Sequence, residues 1–202
     1  MGERSQIYVR YNKKLIIANY YQLNCDAEMI SRTRHSIEYM QYLLENGIFP
    51  IYSEGIEQLR RYLDVNFDTR DITLSIDIIK DYKEDIADFN KEWNDEDFSD
   101  YCFNRQDCDN GKLFIDISHD EKTNTYSLKY AFLDNDCNTD KIMDAEQYMR
   151  WDYADWEDSK YLEDDYREIC RNNLAFLKEF EVLTKDEIIE FMKIKSVRHE
   201  QI

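Results

Sequence analysis

The residues best suited to chemistry are the carboxylates of Asp116 and Asp120 and the ammonium of Lys122. Two acids to hold Mg²⁺ and a lysine to orient the attacking water are the parts of a metal-dependent nuclease. Asp120 and Lys122, however, fall in a predicted turn, a poor support for a preorganised centre. A second array, Asp134-x-Asp136-x-Asn138-x-Asp140, alternates like a calcium loop. It has Thr139 where the sixth-position glycine belongs and Ala145 where the twelfth-position glutamate belongs, so it reads as a solvated turn. The five cysteines (Cys25, Cys102, Cys108, Cys137, Cys170) are scattered without a Cys-x-x-Cys pair. That spacing suits reduced thiols in a cytosol better than a disulfide framework or a zinc site. His35, His119 and His199 belong to no triad signature. Gly2, Gly47, Gly55 and Gly111 are isolated, whereas phosphate-cradling loops need clustered glycines. The chain is therefore read as holding no catalytic residue, no metal and no cofactor.

The unusual feature is charge. The net charge is −18, and residues 81–166 carry 26 acids against 9 bases while the flanking segments are nearly balanced. Clustered carboxylates repel nucleic acid and membrane surfaces and attract basic ones through a field that salt suppresses. A groove lined with Lys and Arg for phosphates is the natural target. The bases Arg4, Arg10, Lys13, Lys14, Arg32, Arg34, Arg60 and Arg61 lie among tyrosines, but with 11 acids in residues 1–80 they read as mixed surface rather than a nucleic-acid platform.

The elements that would position these charges follow from periodicity. Residues 6–11 and 15–21 form a hairpin about Asn12-Lys13-Lys14. Helical spacing covers 27–46 with Gly47 to end it, and Ser53 caps a short helix over 54–64. Residues 72–79 favour a strand, with a helix beyond, and 94–110 read as an acidic loop. A second hairpin pairs 112–118 with 125–133. Asp144 with Gln147, and Thr184 with Glu187, are capping boxes, and 160–181 carries one apolar helical face. The fold class is α+β: an antiparallel sheet built from hairpins with flanking helices, in one domain over 1–202. Within it, 1–90 would be a hairpin–helix module and 91–202 an acidic hairpin with C-terminal helices. No stretch is apolar enough to span a bilayer, and the first residues lack a signal peptide's apolar run, so a cytoplasmic protein is expected.

Gly2-Glu3-Arg4-Ser5, a strand, and then Tyr20-Tyr21-Gln22-Leu23-Asn24 resemble a loose group of small proteins of phages and mobile elements. These begin Met-Gly-Thr-Arg-Ser and continue into Tyr-x-Gln-Tyr-Asp-Gly-Tyr-Pro. The likeness covers about a fifth of the chain and departs at Asn24-Cys25-Asp26-Ala27. It implies a bacterial host cell and an anti-defence setting, in which some anti-CRISPR proteins look like nucleic-acid mimics.

Charge and resemblance together point to an inhibitor that binds a basic nucleic-acid-binding protein, such as a type II CRISPR-associated nuclease, and neither a membrane nor nucleic acid directly. The candidate contacts are Asp95, Glu96, Asp97 and Asp100, together with Asp152, Asp155, Glu157, Asp158, Glu163, Asp164 and Asp165. Trp151, Tyr153 and Trp156 stand among these acids, either as aromatic anchors or as buried core. This reading requires the carboxylates to converge on one face. The alternatives are a metal-dependent nuclease built on Asp116, or a phage structural protein whose acidity only keeps it in solution.

Overall fold

Asn12 and Lys13 both adopt positive φ, 46° and 67°, and so make the two-residue turn whose twist matches that of the flanking strands. They join β1 (Arg4–Tyr11) to β2 (Lys14–Gln22) in an antiparallel pair that starts at Tyr11↔Lys14. Glycine is the usual second residue of such a turn, and a side chain in the left-handed region costs about 1–2 kcal/mol. The Lys13→Gly variant is therefore expected to be more stable by about 1 kcal/mol once unfolded-state entropy is included, measured as a higher urea midpoint.

The computed structural model describes residues 3–22, 28–48, 53–64, 74–104 and 108–195. Expectations for Cys25, His199 and the resembling segment 23–27 lie outside these residues. After the hairpin come α1 (Glu28–Glu45), α2 (Ser53–Asp64), β3 (Leu74–Asp77), α3 (Ile78–Asp88), α4 (Asp95–Asn104), β4 (Lys112–Asp120) and β5 (Thr125–Leu133). The chain ends with α5 (Ala145–Asp152), α6 (Asp164–Leu177), β6 (Glu181–Val182) and α7 (Lys185–Met192). Gly47, at φ 66°, ends α1 as expected, with its N–H bonded to Leu44 O and that of Ile48 bonded to Leu43 O. Both capping boxes form. Asp77 ends β3 and caps α3, its Oδ1 accepting from Ile79 and Lys80 N–H.

Two expectations change. Residues 95–104 are helix, not loop, because Phe98, Cys102 and Phe103 recur on one helical face and are buried, while the acids around them sit on the outer face. The sheet is mixed rather than wholly antiparallel. Its order is β3-β2-β1-β4-β5-β6, with β1–β4 and β5–β6 parallel and the remaining pairs antiparallel. The α+β class stands, and both hairpins share this one sheet.

Alternation along the strands divides the core in two. Ile7, Val9, Leu113, Ile115 and Phe132 face the layer that contains α1, α2, α5 and α6. Tyr8, Ala18, Phe114, Ala131 and Leu133 face the layer that contains α3, α4 and α7. Lys112 is fully buried at the end of β4, and its ammonium donates to Phe103 O (3.1 Å) and Asn135 O (2.6 Å). This ties the end of α4 to the loop after β5. Gly111 beside it, at φ 75°, admits no side chain, since a Cβ would meet Leu133 O at 2.5 Å. Among the described residues no helix is long and apolar enough to cross a membrane.

Candidate protein-binding surface

The candidate carboxylates do not form one surface. Asp95, Glu96, Asp97 and Asp100 ride on α4, in the layer with Phe98 and Cys102. Asp152 to Asp165 follow α5 and enter α6, in the layer with Tyr148, Met149 and Trp156. The sheet lies between them. A single flat groove on a partner cannot meet both sets.

The α4 acids have local duties. Asp95 accepts from Trp93 Nε1 (2.8 Å), and Asp100 accepts from Asn104 Nδ2 (2.8 Å). Asp95, Glu96 and Asp97 occupy the first helical turn, where negative charge complements the helix dipole. Asp164 and Asp165 hold the same position in the first turn of α6, and the rest of the second set differs. Asp155, Glu157, Asp158, Glu163 and Asp165 are exposed, and no ion pair holds any of them among the described residues. Asp164 pairs with Arg167, and Asp152 accepts from Asn110 Nδ2 (2.9 Å). Glu163 occupies the N-cap of α6 yet makes no capping hydrogen bond, unlike Asp77, Asp144 and Thr184 at theirs.

The loop carrying these acids is fixed from beneath. Trp156 is only 4% exposed and packs into the core, so it is corrected from surface anchor to internal peg. Its indole is too large an apolar surface to leave in water when a core position is within reach. Tight turns close at Trp156 N–H to Tyr153 O (3.0 Å), Asp158 N–H to Asp155 O (3.1 Å) and Leu162 N–H to Ser159 O (3.3 Å). Ser159 is buried and joins them: its Oγ lies 2.9 Å from Tyr153 Oη and accepts from Tyr161 N–H, while its carbonyl accepts from Arg167. A loop ordered before binding loses little entropy on binding.

Two aromatics remain outside. Trp151 is 42% exposed and covers Gly111 with one edge. Tyr161 is 82% exposed, with the Lys160 ammonium 5.1 Å from its ring. Tyr161 was not singled out from the sequence. In Trp151-Asp152-Tyr153-Ala154-Asp155-Trp156 and on to Tyr161 the aromatics follow no helical or strand period, so nothing in the pattern separates buried from exposed ones. A cavity of about 310 Å³ opens beside the loop, with Trp156 and Glu157 on its wall and Tyr130, Leu174 and Phe180 among its apolar lining.

The catalytic alternatives look different once side chains are placed. Asp116 is taken up by Arg10 on the adjacent parallel strand, with Nε to Oδ1 at 2.8 Å and Nη2 to Oδ2 at 2.7 Å. Asp120 accepts from Lys122 N–H in the exposed hairpin turn, and those hydrogen bonds hold its carboxyl below the usual aspartate range. Asp134 accepts from Asn138 N–H and Asp140 pairs with Lys185, so the calcium-like array is an internally bonded turn. Among the described residues no three His, Cys, Asp or Glu side chains are grouped to hold a metal ion. His119 is held between Tyr11 Oη (2.8 Å from Nδ1) and Asn124 Oδ1 (3.1 Å from Nε2). Among the described residues, Cys102, Cys108, Cys137 and Cys170 form no disulfide. Burial is the main cause that pushes Cys102 and Cys137 up, away from thiolate character.

No protein-family model matches this chain. No curated protein and no solved structure matches it either.

Proposed function

We propose that this chain is a stoichiometric inhibitor of the anti-defence type, acting in a bacterial cytoplasm. It binds a basic nucleic-acid-handling protein, in the first instance a type II CRISPR-associated nuclease, through residues 152–165. One observation carries the reading: five exposed carboxylates that form no ion pair among the described residues run from the loop pegged by Trp156 and Ser159 into the first turn of α6, with Trp151 and Tyr161 exposed among them. Fixed negative charges match a groove built for phosphates and steer it into contact. The two exposed rings supply the apolar contact that charge alone does not. The α4 acids, in the opposite layer, have no part in this contact.

The test uses purified nuclease, with and without its guide RNA, against the immobilised chain. A complex with the guide-free nuclease is expected. It should weaken at least tenfold from about 0.1 to about 1 M salt, as the screening length falls from about 10 to about 3 Å. Prior loading of nucleic acid into the groove should block it. Absence of a complex at low salt, or equal affinity at both salts, overturns the proposal.

A further inference from the structure

The layer opposite the 152–165 loop carries a feature independent of the proposed inhibitor role. A concavity of about 320 Å³ lies between the β1–β2 turn and the end of α7, lined by Arg10, Lys13, Lys14, Lys193 and Lys195, with Glu190 on its wall. Five cations around one hollow is a reversed local sign in a chain of net charge −18. Bases at opposite ends of the chain build it, which is why residues 1–80 alone read as mixed surface.

The balance of pairs leaves this hollow positive. Arg10 is matched by Asp116, and Lys195 by Glu190 at 3.1 Å. Lys13, Lys14 and Lys193 are exposed and have no carboxylate partner among the described residues. Lys195 first, then Lys193 and Arg10, hold the Glu190 carboxyl below its ordinary value, so the cations act on the same space. Lys193 and Lys195 follow the carbonyl end of α7 and offset its dipole, which explains part of their presence. Lys13 is on the β1–β2 turn and belongs to no helix end. A lysine holds the left-handed position that glycine would fill at lower cost, and strain kept in place is a mark of function.

We infer that this hollow binds a small phosphate-bearing anion, a phosphomonoester or pyrophosphate group, through Lys13, Lys14 and Lys193. Size and surroundings separate this from a nucleic-acid strand. The adjoining concavity shares Lys193 and Lys195 but is walled by Glu96, Asp100 and Asp136, so a polyanion running out of the hollow meets carboxylates. One compact group does not.

The experiment is an ¹⁵N NMR titration of the full chain at low salt with inorganic pyrophosphate, and separately with a 12-nucleotide single strand. Saturable shifts confined to the amides of residues 12–15 and 193–195 are expected with pyrophosphate. The double variant Lys13→Gly, Lys193→Gln should weaken binding at least tenfold, the loss of two charge-assisted contacts. Lys13→Gly alone should weaken binding while raising Tm, which separates lost contact from lost fold. Absence of saturable shifts, unchanged affinity in the double variant, or tighter binding of the oligonucleotide than of pyrophosphate overturns the inference.

Discussion

Asp116→Asn is expected to lower folding stability by about 3 kcal/mol, because removing one partner of a buried ion pair strands the other charge. The guanidinium of Arg10 is the stranded group: the residue is 7% exposed, makes both of its carboxylate bonds to Asp116, and stacks 4.6 Å from the Phe191 ring centroid. Asparagine returns one acceptor but no charge. Against a total of about 5–15 kcal/mol for a domain, such a loss appears as a large drop in the urea midpoint. The double replacement Arg10→Met with Asp116→Leu should recover most of it, since apolar residues in place of both charges leave nothing unpaired. A carboxylate held for metal chemistry behaves in the opposite way: its removal spares stability and abolishes cleavage. Full stability of Asp116→Asn would mean that the Arg10 pair does not form.

Reversing Asp155, Glu157, Asp158, Glu163 and Asp165 to lysine is expected to slow association with the proposed nuclease partner by about 10- to 100-fold at low salt. Each reversal shifts the charge by two, so the net moves from −18 to −8. All five side chains are exposed and in no ion pair among the described residues, so the fold should survive the change. The difference from the native chain should shrink as salt rises, because screening removes the steering field but not the contacts. The matched control reverses five exposed acids in the opposite layer that form no ion pair among the described residues: Asp85, Asp88, Glu92, Glu96 and Asp97. It changes the total charge equally but leaves the 152–165 loop intact, and should slow association far less. Stopped-flow or surface-capture kinetics measure both. Equal on-rates for the native and loop-reversed chains would end the mimicry argument. Equal slowing by the two variants would place the effect in total charge and not in this loop.

The acids at 95–100 show why a charge count along the chain is an incomplete guide to a surface. Asp95-Glu96-Asp97 and Asp107-Cys108-Asp109 read as a loop because charged residues outnumber apolar ones over 94–110. Three apolar contacts, Phe98, Cys102 and Phe103, suffice to hold a short helix against a sheet, and they leave its acids facing away. The same limit applies to Trp151 and Trp156. Trp151 lies in the last turn of α5 and is exposed, Trp156 lies in the loop beyond it and is buried, and no single period spans both.

Local rules did carry much of the molecule. The turns that start both hairpins, the two capping boxes and the glycine stop at Gly47 are interactions among residues within a few positions of one another, so their types and spacing state them directly. Net charge and the absence of clustered glycines are likewise properties of composition. Tertiary structure alone decided three things: the parallel pairing of β1 with β4, the burial of Arg10 and Lys112, and the separation of two acidic sets by the sheet. Each depends on partners far apart in the chain, such as Arg10 with Asp116 or Lys112 with Asn135. A charged side chain enters the interior only where distant groups satisfy it, and the face that a helix buries is chosen by the sheet it meets.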